Sequence, residues 1–77
     1  RTGEAIDPDA LASDLTRAGY VHDDRVDTPG EFAARGQVVD VFPAGYYLPV
    51  RIEHDEGRIA SIASYDAATQ RRTDEFA

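Results

Sequence analysis

The sequence predicts an α+β domain: an N-terminal helix followed by an antiparallel β-meander sheet of about four strands. Three observations predict it. A capped, amphipathic stretch occurs near the start of the chain. The segments after it alternate with a period of two or are rich in β-branched and aromatic residues. Turn signals at Pro29-Gly30, Arg35-Gly36 and Asp55-Glu56-Gly57 divide those segments.

The helix is predicted over Pro8 to Ala18. Asp7 is suited to the N-cap and Pro8 to the first helical position. Asp9 places negative charge in the first turn, where the macrodipole favours it. Leu11 and Leu15 share one face, flanked by Ala12 and Ala18, and Gly19 follows as the C′ residue. Tyr20 to Thr28 mixes Val, Tyr and charged residues and reads as an edge strand. Glu31 to Ala34 and Gln37 to Phe42 then form a hairpin about Arg35-Gly36, with Ala34 facing Gln37 and Phe32 facing Val39. Phe32, Ala34, Val39 and Val41 make its core face. Glu31, Ala33, Val38, Asp40 and Phe42 make the other, only partly polar.

Pro43 ends that strand, because proline cannot continue a central ladder. In Leu48 to Glu53 the residues Leu48, Val50 and Ile52 point one way, Arg51 and Glu53 the other. Arg58 to Tyr65 is the last strand. Its apolar members Ile59 and Ile62 differ in parity, which calls for a bulge or two-sided burial. The polar tail from Asp66 to Ala77 is expected to start a further helix or a linker.

Length and charge bound the function. A chain of 77 residues and 8.4 kDa buries roughly 60% of its unfolded surface, enough for one small core. A single domain over 1–77 is expected, without room for an enclosed active site. With no Cys, disulfides and thiolate zinc sites are excluded. The 15 acidic residues against 8 basic ones, all Arg, give a net charge of -7, which repels nucleic acid and anionic membranes. No apolar run reaches the roughly 20 residues of a membrane span, and no signal-peptide pattern is present. These features are those expected of a piece of a longer cytoplasmic protein, monomeric by itself.

The search for chemistry yields little. There is no Gly-x-Ser-x-Gly and no glycine-rich phosphate loop. Without Cys or Lys, thiol and Schiff-base catalysis are excluded. His22-Asp23-Asp24 and His54-Asp55-Glu56 contain metal-ligand types. Adjacent strand residues point to opposite faces, so both read as solvated polar positions. No catalytic residue, metal or cofactor is expected. Arg51 and Glu53, roughly 7 Å apart on one strand face, and Arg35 at a hairpin tip are the notable polar residues. Arg presents a planar fork of donors to carboxylates. On residues alone two readings stay open. Arg51 pairs with a cross-strand acid and Arg35 fills a turn, or both face a partner.

The run from Gly30 to Pro43, Gly-Glu-Phe-Ala-Ala-Arg-Gly-Gln-Val-Val-Asp-Val-Phe-Pro, resembles a segment shared by bacterial transcription-repair coupling factors (Mfd) and the excision-repair helicase UvrB. Leu48-Pro49-Val50-Arg51-Ile52-Glu53, Tyr65-Asp66 with Thr69-Gln70-Arg71, and Leu15 to Gly19-Tyr20 match in order, and favour the coupling factors. The resemblance covers about Leu11 to Arg72. It implies a UvrB-like domain that binds UvrA and recruits excision repair to stalled RNA polymerase. ATP, magnesium and the translocase motor are expected only in other domains of such a protein. The contact residues it implies are Arg35, Arg51 and Glu53, with His22 at a position that is Arg in many UvrB sequences. In the family two aromatics follow the Arg-Ile-Glu run, and the second is implied at the UvrA surface. Here His54-Asp55 stand there, so Asp55 replaces an apolar anchor. Arg51→Glu is expected to weaken UvrA binding and leave the melting of the fold unchanged. The alternative is a structural spacer in a UvrB-like or degenerate helicase, its surface masked and without UvrA binding.

Overall fold

The computed structural model describes residues 2–66, 68–69 and 71–76, with side chains except at 74–76. Arg1, Ala67, Gln70 and Ala77 lie outside the described residues, including the Gln70 of the Thr69-Gln70-Arg71 motif.

Helix α1 spans Pro8–Arg17, one residue shorter than the sequence predicts. Asp7 is extended and its carboxylate accepts from the backbone N–H groups of Asp9 and Ala10. The helix ends at Gly19, whose φ of 100° a side chain would resist. Leu11, Ala12 and Leu15 pack on Phe32, Val39 and Val41 of the sheet.

The strands are β1 (Val21–His22), β2 (Glu31–Arg35), β3 (Val38–Val41), β4 (Val50–Asp55), β5 (Arg58–Tyr65) and β6 (Arg72–Phe76). They form one sheet in sequence order. The fold is α+β as predicted, but six strands replace the expected four or so. The sheet is mixed, because β1 runs parallel to β2 at one edge. Its shortness suits an edge, where half of its backbone groups need no ladder partner. The expected helix or linker after Asp66 is corrected to β6, which pairs antiparallel with β5.

The first hairpin closes one residue later than predicted. Arg35 pairs with Val38, leaving Gly36-Gln37 as the loop. Gly36 takes φ 53°, at the first loop position, which a type II′ turn reserves for glycine. The predicted register would have put Arg35 there. Each residue of β2 therefore meets a partner two places further along β3, with Phe32 opposite Val41. A shift of two preserves the faces, so the predicted core face holds.

The parity conflict in β5 is resolved by a bulge. Glu53 pairs with Ser61 and His54 with Ile59, so Ala60 is the extra residue. Ile59 and Ile62 thereby come to the same side as Ile52. The β4–β5 loop, Glu56-Gly57, has φ of 50° and 75°, both positive as in a type I′ turn. Gly57 also accepts from Ile6, and Ala5 bridges Arg58, so the segment before α1 lines the start of β5.

A second core sits on the face away from the helix. Val26, in the loop between β1 and β2, is 1% exposed and packs with Ala33 and Phe42. The Glu31 carboxylate ties this loop down by accepting from the N–H groups of Asp27 and Thr28 at 2.8 and 2.9 Å. These bonds hold the Glu31 carboxyl below the usual range.

Candidate functional site

The sheet face opposite α1 presents two rows of side chains. The ladder sets Ala33, Asp40, Arg51 and Ala63 side by side, then Arg35, Val38, Glu53 and Ser61 one step nearer the hairpin tip. Strands lie about 4.8 Å apart, so Arg35 and Glu53 flank Val38 at a separation of about 10 Å. Alternation in β2, β3 and β4 thus brings Arg35, Arg51 and Glu53 to one surface.

Arg51 is held on that surface. Its Nε donates to Asp40 Oδ1 at 2.8 Å and its Nη2 to Asp40 Oδ2 at 3.0 Å. Its guanidinium carbon lies 4.6 Å from the centre of the Tyr65 ring. The Arg51 side chain is 29% exposed and the Asp40 side chain only 5%. The bond to Asp40, followed by its charge, raises the Arg51 pKa further above its ordinary value. Tyr65 is 2% exposed, and its hydroxyl lies near Asp40 and Arg51 without a well-formed bond to either. Burial first, then the Asp40 carboxylate, pushes its pKa up to about 12.

The neighbouring groups are also paired. Glu53 accepts from Arg72 Nη2 at 3.0 Å, and Asp55 accepts from Gln37 Nε2 at 3.0 Å beside the hairpin tip. Arg35 is exposed and makes no ion pair with any described residue. His22 is not brought to this surface. Its ring lies tilted against Phe32, with ring centres 5.0 Å apart, on the helix side of the sheet. Strand position in a parallel edge strand, which no alternation in the sequence reports, sets that side.

His54 is buried, and its Nε2 has no hydrogen-bond partner. Among the described residues no three of His, Asp and Glu converge to hold a metal ion. No helix among them is long and apolar enough to cross a membrane.

Asp40, Tyr65 and Arg72 are not among the site residues that the sequence predicts. Strand parity put Asp40 on the correct face, but only the register shows it opposite Arg51. That pairing bears on the expectation of unchanged melting: removing Arg51 would strand a buried carboxylate, so Arg51→Glu is now expected to affect the fold as well as the surface.

A family model described as the UvrB interaction domain matches residues 1–77. The chain is also similar to transcription-repair-coupling factors. It is 42% identical over 71 residues to that of Bacillus subtilis strain 168, covering 92% of this chain and 6% of the relative. It is 39% identical over 75 residues to that of Escherichia coli K12, covering 97% and 6%. For Myxococcus xanthus the identity is 40% over 72 residues, covering 94% and 6%. The chain thus spans about 6% of the length of these relatives.

Proposed function

The chain belongs to the UvrB interaction domain family, and on that basis we propose that it docks UvrA onto a transcription-repair coupling factor. The observation that supports this most is the shared surface of Arg35, Arg51 and Glu53, opposite the helix. A sheet face offers a flat, rigid platform, and its Arg and Glu groups suit recognition of a polar protein surface. The ATP-driven work of such a factor would reside in the rest of its length. Recruitment of excision repair to a stalled polymerase would then follow from UvrA capture.

Arg35 provides the test, because among the described residues it has no ion-pair partner whose loss would disturb the fold. UvrA is titrated with the chain and with Arg35→Glu by calorimetry, with UvrB as positive control. The expected result is binding by the chain and at least tenfold weaker binding by the variant at equal melting temperature. Absence of binding by the intact chain would overturn the proposal. Equal binding by both would remove Arg35 from the surface.

A further inference from the structure

We propose that Asp40 and Tyr65 are positioning residues that hold the Arg51 guanidinium as a fixed, charge-compensated edge of the docking face. The proposal rests on the UvrA reading above and adds how Arg51 would be recognised. A partner would meet oriented N–H groups rather than a mobile point charge.

Three observations carry it. The Asp40–Arg51 contact is bidentate, which fixes both the position and the plane of the guanidinium. The Tyr65 ring supplies a second constraint at 4.6 Å. Asp40 and Tyr65 are anchored where they stand, because their side chain and residue are 5% and 2% exposed. Arg51 alone of the three reaches solvent to a substantial degree, at 29%. Two of the five guanidinium N–H groups serve the pair with Asp40. A guanidinium so held has already lost its rotamer freedom, so docking costs less side-chain entropy. Lys could supply the charge but neither the fork nor the stack.

Compensation has a second consequence. The Asp40 carboxylate cancels the Arg51 charge at contact distance, and Arg72 does the same for Glu53. The Arg51 and Glu53 contribution to docking should depend weakly on salt, because both charges are already paired, which leaves Arg35 as the salt-sensitive member of the face. A structural ion pair with no role in docking would give a different pattern under mutation.

A double-mutant cycle separates the two. UvrA affinity is measured for the chain, Asp40→Asn, Arg51→Gln and the double variant, with folded fraction checked by circular dichroism. Each single change is expected to weaken binding about tenfold. Asp40→Asn in the Arg51→Gln background should then change affinity less than twofold, because nothing is left to position. Asp40→Asn should also steepen the salt dependence, by removing the carboxylate charge that the Arg51 fork now meets at contact distance. Equal effects of Asp40→Asn in both backgrounds would overturn positioning and leave the UvrA reading intact. If Arg51→Gln alone binds normally, Arg51 leaves the docking surface and the proposal falls with it. Nuclear magnetic resonance of the Arg51 Nε–H keeps the test independent of variant folding. The proposal expects a slowly exchanging resonance with restricted motion in the unsubstituted chain. Free-arginine behaviour there would overturn it.

Discussion

Replacing Arg51 with Glu removes one member of a pair whose other member cannot leave. The Asp40 side chain is 5% exposed, so water cannot take over the guanidinium's role without opening the sheet. Breaking a buried pair from one side costs about 3–5 kcal/mol. Arg51 itself is 29% exposed, which places the loss at the low end, about 3 kcal/mol. Like-charge repulsion adds less than its nominal value, because the new carboxylate can turn into solvent. A chain of this length has a total stability of roughly 4–12 kcal/mol. For a domain of this size each kcal/mol lowers the melting temperature by about 4–8 °C, so the expected fall is about 12–24 °C. Thermal melting by circular dichroism at pH 7 measures it. Arg35→Glu is the control, since it makes the same charge change on the same face without stranding an acid. It should stay within about 0.5 kcal/mol of the original. Adding Asp40→Asn to Arg51→Glu should restore most of the lost stability. If Arg51→Glu melts within about 2 °C of Arg35→Glu, the reasoning about the buried carboxylate fails.

Tyr65 should make the fold alkali-sensitive. Its hydroxyl titrates near 12 in the folded state against about 10 when unfolded, so the folded form holds the extra proton in between. Stability is therefore fully present below pH 10 and is lost as pH rises toward 12, and the urea midpoint should fall less for Tyr65→Phe. Glu31→Gln should speed hydrogen exchange at the Asp27 and Thr28 amides that its carboxylate now binds. Because the Glu31 carboxyl is held low, its contribution is present above its ordinary pKa and fades as pH falls; equal amide exchange in both proteins would disprove the tether. Glu56 adopts φ 50° at a turn position that Asn tolerates better. Glu56→Asn should stabilise by about 1 kcal/mol, read as a higher urea midpoint.

Much of this was legible because certain residues admit one local solution. Asp7-Pro8 and Gly19 bound the helix through capping needs that act within a few residues. Ile59 and Ile62 signalled the bulge, since no regular strand puts both in one core. The hairpin register was missed by one place because either residue pair could be a loop on pattern alone. The demand of Gly36 for the first, positive-φ position decided it. β6 escaped because Arg72 to Phe76 carries no apolar alternation. Its strand state comes from the exposed ladder of β5, which is a long-range cause. For the surface, alternation in β4 was enough to place Arg51 and Glu53 outward. It could not reveal Asp40 as the partner of Arg51, because that depends on which residue of β3 lies opposite. Nor could it assign His22 to a face, as two residues of parallel edge strand have no period to read.

The net charge looks different once the pairs are known. A value of -7 suggests a surface that selects cationic partners. Yet on the sheet face opposite α1 Asp40 and Glu53 are each matched by an arginine. Much of the acid excess lies elsewhere, with Glu4, Asp7, Asp9 and Asp14 before or on α1 and Asp23, Asp24 and Asp27 in the loop after β1. Long-range field and local recognition are thereby separated. The bulk of the molecule is expected to repel other acidic bodies at a distance, while the described side chains of the sheet face present nearly balanced charge at contact. Docking through a face of that kind would discriminate by geometry, through the orientation of the Arg51 fork, the apolar Val38 between Arg35 and Glu53, and Asp55 at the rim. Within such a surface Asp55, where the family resemblance implies an aromatic, would matter more than one unit of charge. Under the proposed docking, it would remove the group best able to exclude water and shift the burden onto the arginines.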